Sequence, residues 1–348
     1  MELPVRILRH ASDEPLISVD GAWGAAGLNL SHWPGQRTPS ELRHDLSTGC
    51  ALAFARLAPA RRAELARGCT AIANNHYDTD GVCALFAVRH PERALELERE
   101  LLDAARAGDM FQLPSERAFQ IDRVIARYAE LDASPIAAQL RGLDDYARYE
   151  RATHVLFEEL PAMLRGELDG CRALWHEDFE RLRADLAALA HAQRDDVVHL
   201  DWSVWTARPG DFASQHGSGG PGRHALFGTS SVDRALFVDP RADGTRYRFV
   251  INTLSWFELV TRETLPRPNL ARLAASLNEL EGTHDAELHA WRAQETSTPS
   301  PELWFGAREH ELFAEHCAAM RPSRLAPATV RRCIAEALRD ALVGALPE

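Results

Sequence analysis

Apolar residues change their spacing along this chain, and the changes mark its parts. Residues 26–33 (AGLNLSHW) read as a strand running into a Pro-Gly turn, and residues 69–76 (CTAIANNH) as a second, buried strand. The run VCALFAV after Gly81 has no polar face and predicts a helix buried on all sides. Leu95, Leu101 and Ala105 then carry an amphipathic helix that ends near Gly108-Asp109. Thr38, Pro39 and Glu41 form a capping-box pattern that predicts a helix start, and a further helix is expected from about Asp45.

The middle of the chain is helical. Leu156, Leu160 and Leu164 repeat every four residues, and Trp175, Phe179, Leu182, Leu186 and Leu189 continue an apolar stripe. Strands are expected again over 196–252, in DVVHLDWSVWT, RALFVD and YRFVI. Helices follow at 268–281, 285–293, 307–320 and 328–345, the last marked by Val330, Ile334, Leu338 and Leu342. The expected fold is α/β: a parallel-sheet N-terminal domain over 1–135, a helical section over 136–192, and a smaller α+β C-terminal domain over 193–348.

Composition narrows the chemistry. All 39 basic residues are Arg, because the 348-residue chain has no Lys. That excludes a Schiff-base lysine, a P-loop and a protein kinase. The net charge of −12 argues against a nucleic-acid polymer as partner. No apolar run is long enough for a membrane span, and the N-terminus lacks the apolar core of a signal peptide. Six scattered Cys without a C-x-x-C spacing fit reduced thiols, so a cytoplasmic location is expected.

Asn74-Asn75-His76-Tyr77-Asp78-Thr79-Asp80-Gly81 is the most informative stretch. It follows a strand, and the C-terminal edge of an open α/β sheet is where ligands bind. Asp78, Asp80 and His76 offer the mixed oxygen and nitrogen ligation that suits Mn²⁺, Mg²⁺ or Zn²⁺. The helix start after them favours an anion beside the metal. Asp and Asn before a helix also serve as plain caps, which is the competing explanation.

The order strand, H-x-D-x-D-G, apolar helix resembles the first motif of the DHH phosphoesterase superfamily. The resemblance implies that Asp78 and Asp80, with His76 beside them, bind one or two Mn²⁺ or Mg²⁺ ions. It also implies a parallel α/β domain followed by a smaller one, and hydrolysis of a phosphoester or phosphoanhydride. No Asp-His-His triplet occurs in the chain, and Asp109 is the candidate for a further carboxylate ligand.

Two more segments join the candidate site. In Ser31-His32-Trp33-Pro34-Gly35-Gln36-Arg37, His32 suits a ligand or general acid–base and Arg37 a clamp for an anionic oxygen. Equally, His32 and Trp33 could simply pack. In the Gly-rich loop 216–224, Gly219, Gly220 and Arg223 could cradle a phosphate, or the loop could be a connector. Asp45 reads as a helix cap. The absence of G-x-S-x-G and H-E-x-x-H weakens serine-hydrolase and zincin readings. The expected substrate is a small anionic molecule, with catalysis by His32, His76 and Arg37 and phosphate contacts from Arg37, Gly219, Gly220 and Arg223. Two alternatives stand beside this: a non-catalytic binding protein of the same fold, and a metal enzyme acting on a non-phosphate substrate.

Overall fold

The computed structural model describes residues 3–21, 26–212, 219–282, 287–308 and 310–345. The chain divides into two compact units. The first comprises Met1–Phe179 with Phe257–Glu263, and the second Glu180–Trp256 with Thr264–Glu348. The helical section expected over 136–192 is shared between them.

The first unit is built on a parallel sheet. Strands β1 (Val5–Ile7), β2 (Pro15–Val19), β3 (Ala26–Leu30) and β4 (Ala71–Asn74) lie in the order β1-β4-β2-β3. All three pairings are parallel, with Val19 opposite Leu30 and Ser18 opposite Ala73. The two central strands, β2 and β4, are buried runs, as a sheet covered by helices requires. Because they run one way, the residues following β2, β3 and β4 emerge at one edge. β1 and β2 were not expected from the pattern.

Helices α1 (Ser47–Arg56), α2 (Pro59–Leu65), α3 (Thr79–Arg89), α4 (Pro91–Glu96), α5 (Glu98–Met110), α6 (Glu116–Tyr128), α7 (Ala137–Leu140) and α8 (Asp145–Arg165) complete this unit. Every residue of α3 from Thr79 to Val88 is buried, which explains its lack of a polar face. It packs against α1 and α5. A Cβ at Gly108 would lie 2.8 Å from Thr79 Cβ, so this glycine lets α5 close onto the start of α3. The capping box at Thr38 does not form. Thr38 Oγ1 instead donates to Ser31 O and accepts from Ser31 N, and only a single 3₁₀ turn follows at Ser40–Leu42.

Helix α9 (His176–Leu189) crosses the boundary between the units. The second unit is a six-stranded mixed sheet in the order β5-β6-β7-β8-β10-β9: β5 (Gln193–Val197), β6 (Trp202–Thr206), β7 (Arg234–Arg241), β8 (Gly244–Ile251), β9 (Ala290–Ala293) and β10 (Glu302–Gly306). Only β6 and β7 pair in parallel. DVVHLDWSVWT is a hairpin rather than one strand, because Asp201 turns the chain in the left-handed region at φ +50°. The helix expected at 285–293 is contradicted by β9, and 310–320 forms turns rather than the helix expected at 307–320, with Cys317, Ala319 and Met320 packed against Trp304 of β10 and Leu312 and Phe313 exposed. A short helix α10 (Arg223–Phe227) precedes β7, and α11 (Leu270–Glu281) and α12 (Pro327–Gly344) cover one sheet face. Val330, Ile334 and Leu338 are buried against Leu236, Phe249 and Phe305. Among the described residues, no helix is long and apolar enough to cross a membrane.

Candidate metal centre

Three loops leave the C-terminal edge of the first unit's sheet, and each delivers a ligand-type side chain. Asp20 follows β2, His32 follows β3, and His76 and Asp78 follow β4. Asp80 sits in the first turn of α3 and Asp109 near the end of α5. Four of the residues singled out in the sequence for metal binding or catalysis, His32, Asp78, Asp80 and Asp109, are thus brought together with a fifth, His76.

The residue missed was Asp20. It is wholly buried and holds φ at +48°, a region sparsely used by non-glycine residues. Its Oδ1 accepts hydrogen bonds from Ser47 Oγ (2.9 Å) and Trp33 Nε1 (3.1 Å). The signal was present in the sequence: LISVD-G is an apolar strand that ends on an acid and a glycine.

The ligand-type atoms fall into two groups that share Asp20. One joins Asp20, His32, Asp80 and Asp109, the other Asp20, His76 and Asp78; within each, the atoms lie within 4.8 Å of one another. His32 Nε2 is 3.1 Å from Asp109, 3.5 Å from Asp80 and 3.7 Å from Asp20. His76 Nε2 is 2.9 Å from Asp78 and 3.1 Å from Asp20.

Both imidazoles are oriented through their other nitrogen. His32 Nδ1 lies 2.6 Å from the Asp45 carbonyl oxygen, which only accepts, so Nδ1 carries a proton. His76 Nδ1 lies 2.8 Å from Asn75 Oδ1. This leaves each Nε2 directed at carboxylates, either as the second N–H of an imidazolium or as a lone pair toward a cation. Such an outer partner on Nδ1 is the usual support of a metal-binding histidine.

The carboxylates are fixed in turn. Asp80 accepts from the Ser47 and Thr48 amides, both at 2.8 Å, so the first turn of α1 holds it. Asp78 caps α3 by accepting from Gly81 N at 2.8 Å. The capping role weighed in the sequence and the place in the cluster are therefore both filled by Asp78.

Electrostatics follow from four carboxylates facing two imidazoles. Burial alone would lower the His32 pKa, but Asp109, Asp20 and Asp80 raise it well above the ordinary value. His76 rises likewise, against burial, through Asp78 and Asp20. Burial, reinforced by the Asp20 charge, pushes Asp80 up to about 6. Burial and the neighbouring acids raise Asp109 and Asp78. Asp20 stays well below the carboxylate range, since the two histidines outweigh its burial. Without another cation, then, the cluster retains protons. Two buried atoms still lack a well-directed hydrogen bond, Asp20 Oδ2 and His32 Nε2. Oxygen and imidazole donors with such orphaned atoms fit a hard or borderline divalent ion.

The segment Phe257–Glu263 lies against the His32 loop. The Phe257 ring stacks on the His32 ring with centroids 3.7 Å apart, and Glu258 N donates to His32 O. The Glu258 carboxylate accepts from Gly35 N and Gln36 Nε2. Asp45 does not cap α1. Its carboxylate accepts from Val260 N, Thr261 N and Thr261 Oγ1.

The remaining candidates lie elsewhere. Arg37 is exposed on the His32 loop, with its amide donating to Asn29 Oδ1. Of the Gly-rich loop, 216–218 fall outside the described residues, while Gly219, Gly220 and Arg223 belong to the second unit. Arg223 is fully buried and paired with Glu302, Ser300 and the Ala314 carbonyl, so its charge is taken up within the fold. Amides of this loop do hold anions, but the chain's own: Gly222 N donates to Asp185 and His224 N to Glu315.

One family model, described as a family of unknown function (DUF6687), matches residues 4–348. No curated protein and no solved structure gives a significant match.

Proposed function

The chain belongs to the DUF6687 family, and we propose that it is a metal-dependent hydrolase of the DHH-phosphoesterase type. Its substrate is a small phosphorylated metabolite or nucleotide, and its cofactor one or two Mn²⁺ or Mg²⁺ ions. The single observation carrying this reading is the pair of Asp/His groups that share Asp20, with buried atoms left unsatisfied between them. Two dications match four carboxylates with both imidazoles neutral, whereas without them the cluster balances its charge only by keeping protons on its histidines and carboxyls.

When bound, the cations supply Lewis acidity to a phosphoryl group and to the attacking water. The protein's part is to hold the ligands still. Trp33 and Ser47 fix Asp20 from one side, so that its second oxygen turns toward His76. The α1 amides fix Asp80. His76 and Asp78, both partly exposed, are the ligands of the cluster that face solvent and hence a substrate. Arg37, on the loop that carries His32, is the candidate for a contact to an anionic oxygen, and the acidic chain favours small substrates over polymers.

The reading is tested with the Asp78→Ala/Asp80→Ala protein on a panel of phosphodiesters and phosphomonoesters in Mn²⁺. Turnover by the natural protein, abolished in a folded double variant, is expected. A folded double variant with full Mn²⁺ affinity would refute the ligand assignment. Turnover of esters or amides alone would move the activity to non-phosphate substrates.

A further inference from the structure

The two ligand groups share a residue but differ in access to solvent. Asp20, His32 and Asp80 have essentially no exposed surface, and Asp109 has 8%. His32 is covered on one ring face by Phe257. In the other group the His76 and Asp78 side chains are 27% and 37% exposed. Beside them stands Trp33, half-buried, with its ring centred 5.0 Å from that of His76. The two atoms that lack a well-directed hydrogen bond reflect the same division. His32 Nε2 is such an atom on the enclosed side, and Asp20 Oδ2 points to the open side, 3.1 Å from His76 Nε2.

We infer that the centre holds its two cations unequally: the position made by Asp20, His32, Asp80 and Asp109 retains its ion, while the position made by Asp20, His76 and Asp78 exchanges its ion with solvent and is where an oxyanion substrate is met. This rests on the reading of the cluster as a cation site. Release from the enclosed position requires a local opening of the protein, because Phe257 and the sheet edge stand between it and water. Release from the open position requires no such step. Occupancy of the open position therefore follows the free cation concentration, and the enclosed ion serves as a fixed part of the fold. Phe257 acts here as a positioning residue, through its stacking on His32.

The test uses the full-length protein loaded with Mn²⁺. Bound ions are counted by equilibrium dialysis against a fixed free Mn²⁺ concentration with elemental analysis, and their release to excess chelator is followed by the electron paramagnetic resonance of Mn²⁺. Two release phases of equal amplitude are expected, the slow one on the order of tenfold or more behind the fast one. His76→Ala/Asp78→Asn removes the fast phase alone. Phe257→Ala speeds the slow phase while the count stays at two. A single phase for both ions, uptake of only one ion, or survival of the fast phase in His76→Ala/Asp78→Asn overturns the inference but leaves a cation centre standing. No Mn²⁺ uptake at all refutes the centre itself. The kinetics of the unsubstituted protein decide the matter if a variant does not fold.

Discussion

His32 Nε2 lies 3.1 Å from the Asp109 carboxylate, although one side chain follows a strand and the other stands near the end of a helix. The contact depends on two close approaches. Gly108 lets α5 reach α3, and Phe257 presses the imidazole inward. His32 and Asp109 are both buried, where neither charge survives without compensation.

The tightest packing in the cluster is at Gly81. A Cβ there would fall 2.3 Å from Asn74 Nδ2 and 3.0 Å from both Asp20 Oδ2 and Asp78 Oδ1. Gly81→Ala is expected to cost about 1–3 kcal/mol in denaturant unfolding and to weaken Mn²⁺ binding, since the added methyl displaces two ligand carboxylates. Unchanged Mn²⁺ affinity in this variant would show that the close approach plays no part in the centre.

Cation binding is expected to strengthen as pH rises. In the cation-free protein burial holds Asp80 protonated up to about pH 6, and His32 and His76 keep their protons above the ordinary histidine value. A cation must displace those protons, so apparent affinity falls as the solution becomes more acidic, roughly tenfold per pH unit for each proton released. Calorimetry in buffers of different ionisation enthalpy reads the proton count directly. Affinity that is independent of pH would contradict this.

In the second unit Glu302 is buried between Arg223, Arg248 and His310. Burial would raise its pKa, but the two guanidinium charges outweigh burial and hold it well below the usual range. Its folded pKa is depressed, so its contribution to stability is present at neutral pH and above the unfolded value. That contribution is lost as pH falls toward the folded one. Glu302→Gln is expected to lose about 3–5 kcal/mol at neutral pH, because two buried cations lose their counter-charge. The gap between variant and natural protein should narrow below about pH 4. A constant gap across that range would assign the loss to packing instead.

Much of the site was legible because its residues cluster in one loop. His76, Asp78 and Asp80 lie within five positions after an apolar strand, and His32 follows another strand in the same way. Asp20 was not read because β1 and β2 are short and lie among charged residues, so their period-2 signal is brief. Asp109 looked like the end of a helix, which it is; only the packing of α5 on α3 turns it inward. The error at 285–293 has a related cause: short buried strands and helices share the same apolar spacing, and neighbouring strands decide between them. At 307–320 the apolar residues Leu312 and Phe313 are exposed on turns, so their spacing marks no buried face. Arg223 looked like a phosphate ligand because the chemistry that binds an external anion also binds Glu302.

The shared carboxylate is the centre of the account, and a metal count tests it most directly. Mn²⁺ per chain is measured by equilibrium dialysis and elemental analysis for the natural protein, Asp78→Asn and Asp20→Asn, with circular dichroism as the check of folding. The expected result is two ions in the natural protein, one in Asp78→Asn and none in Asp20→Asn. A folded Asp20→Asn protein that still binds two ions would contradict it.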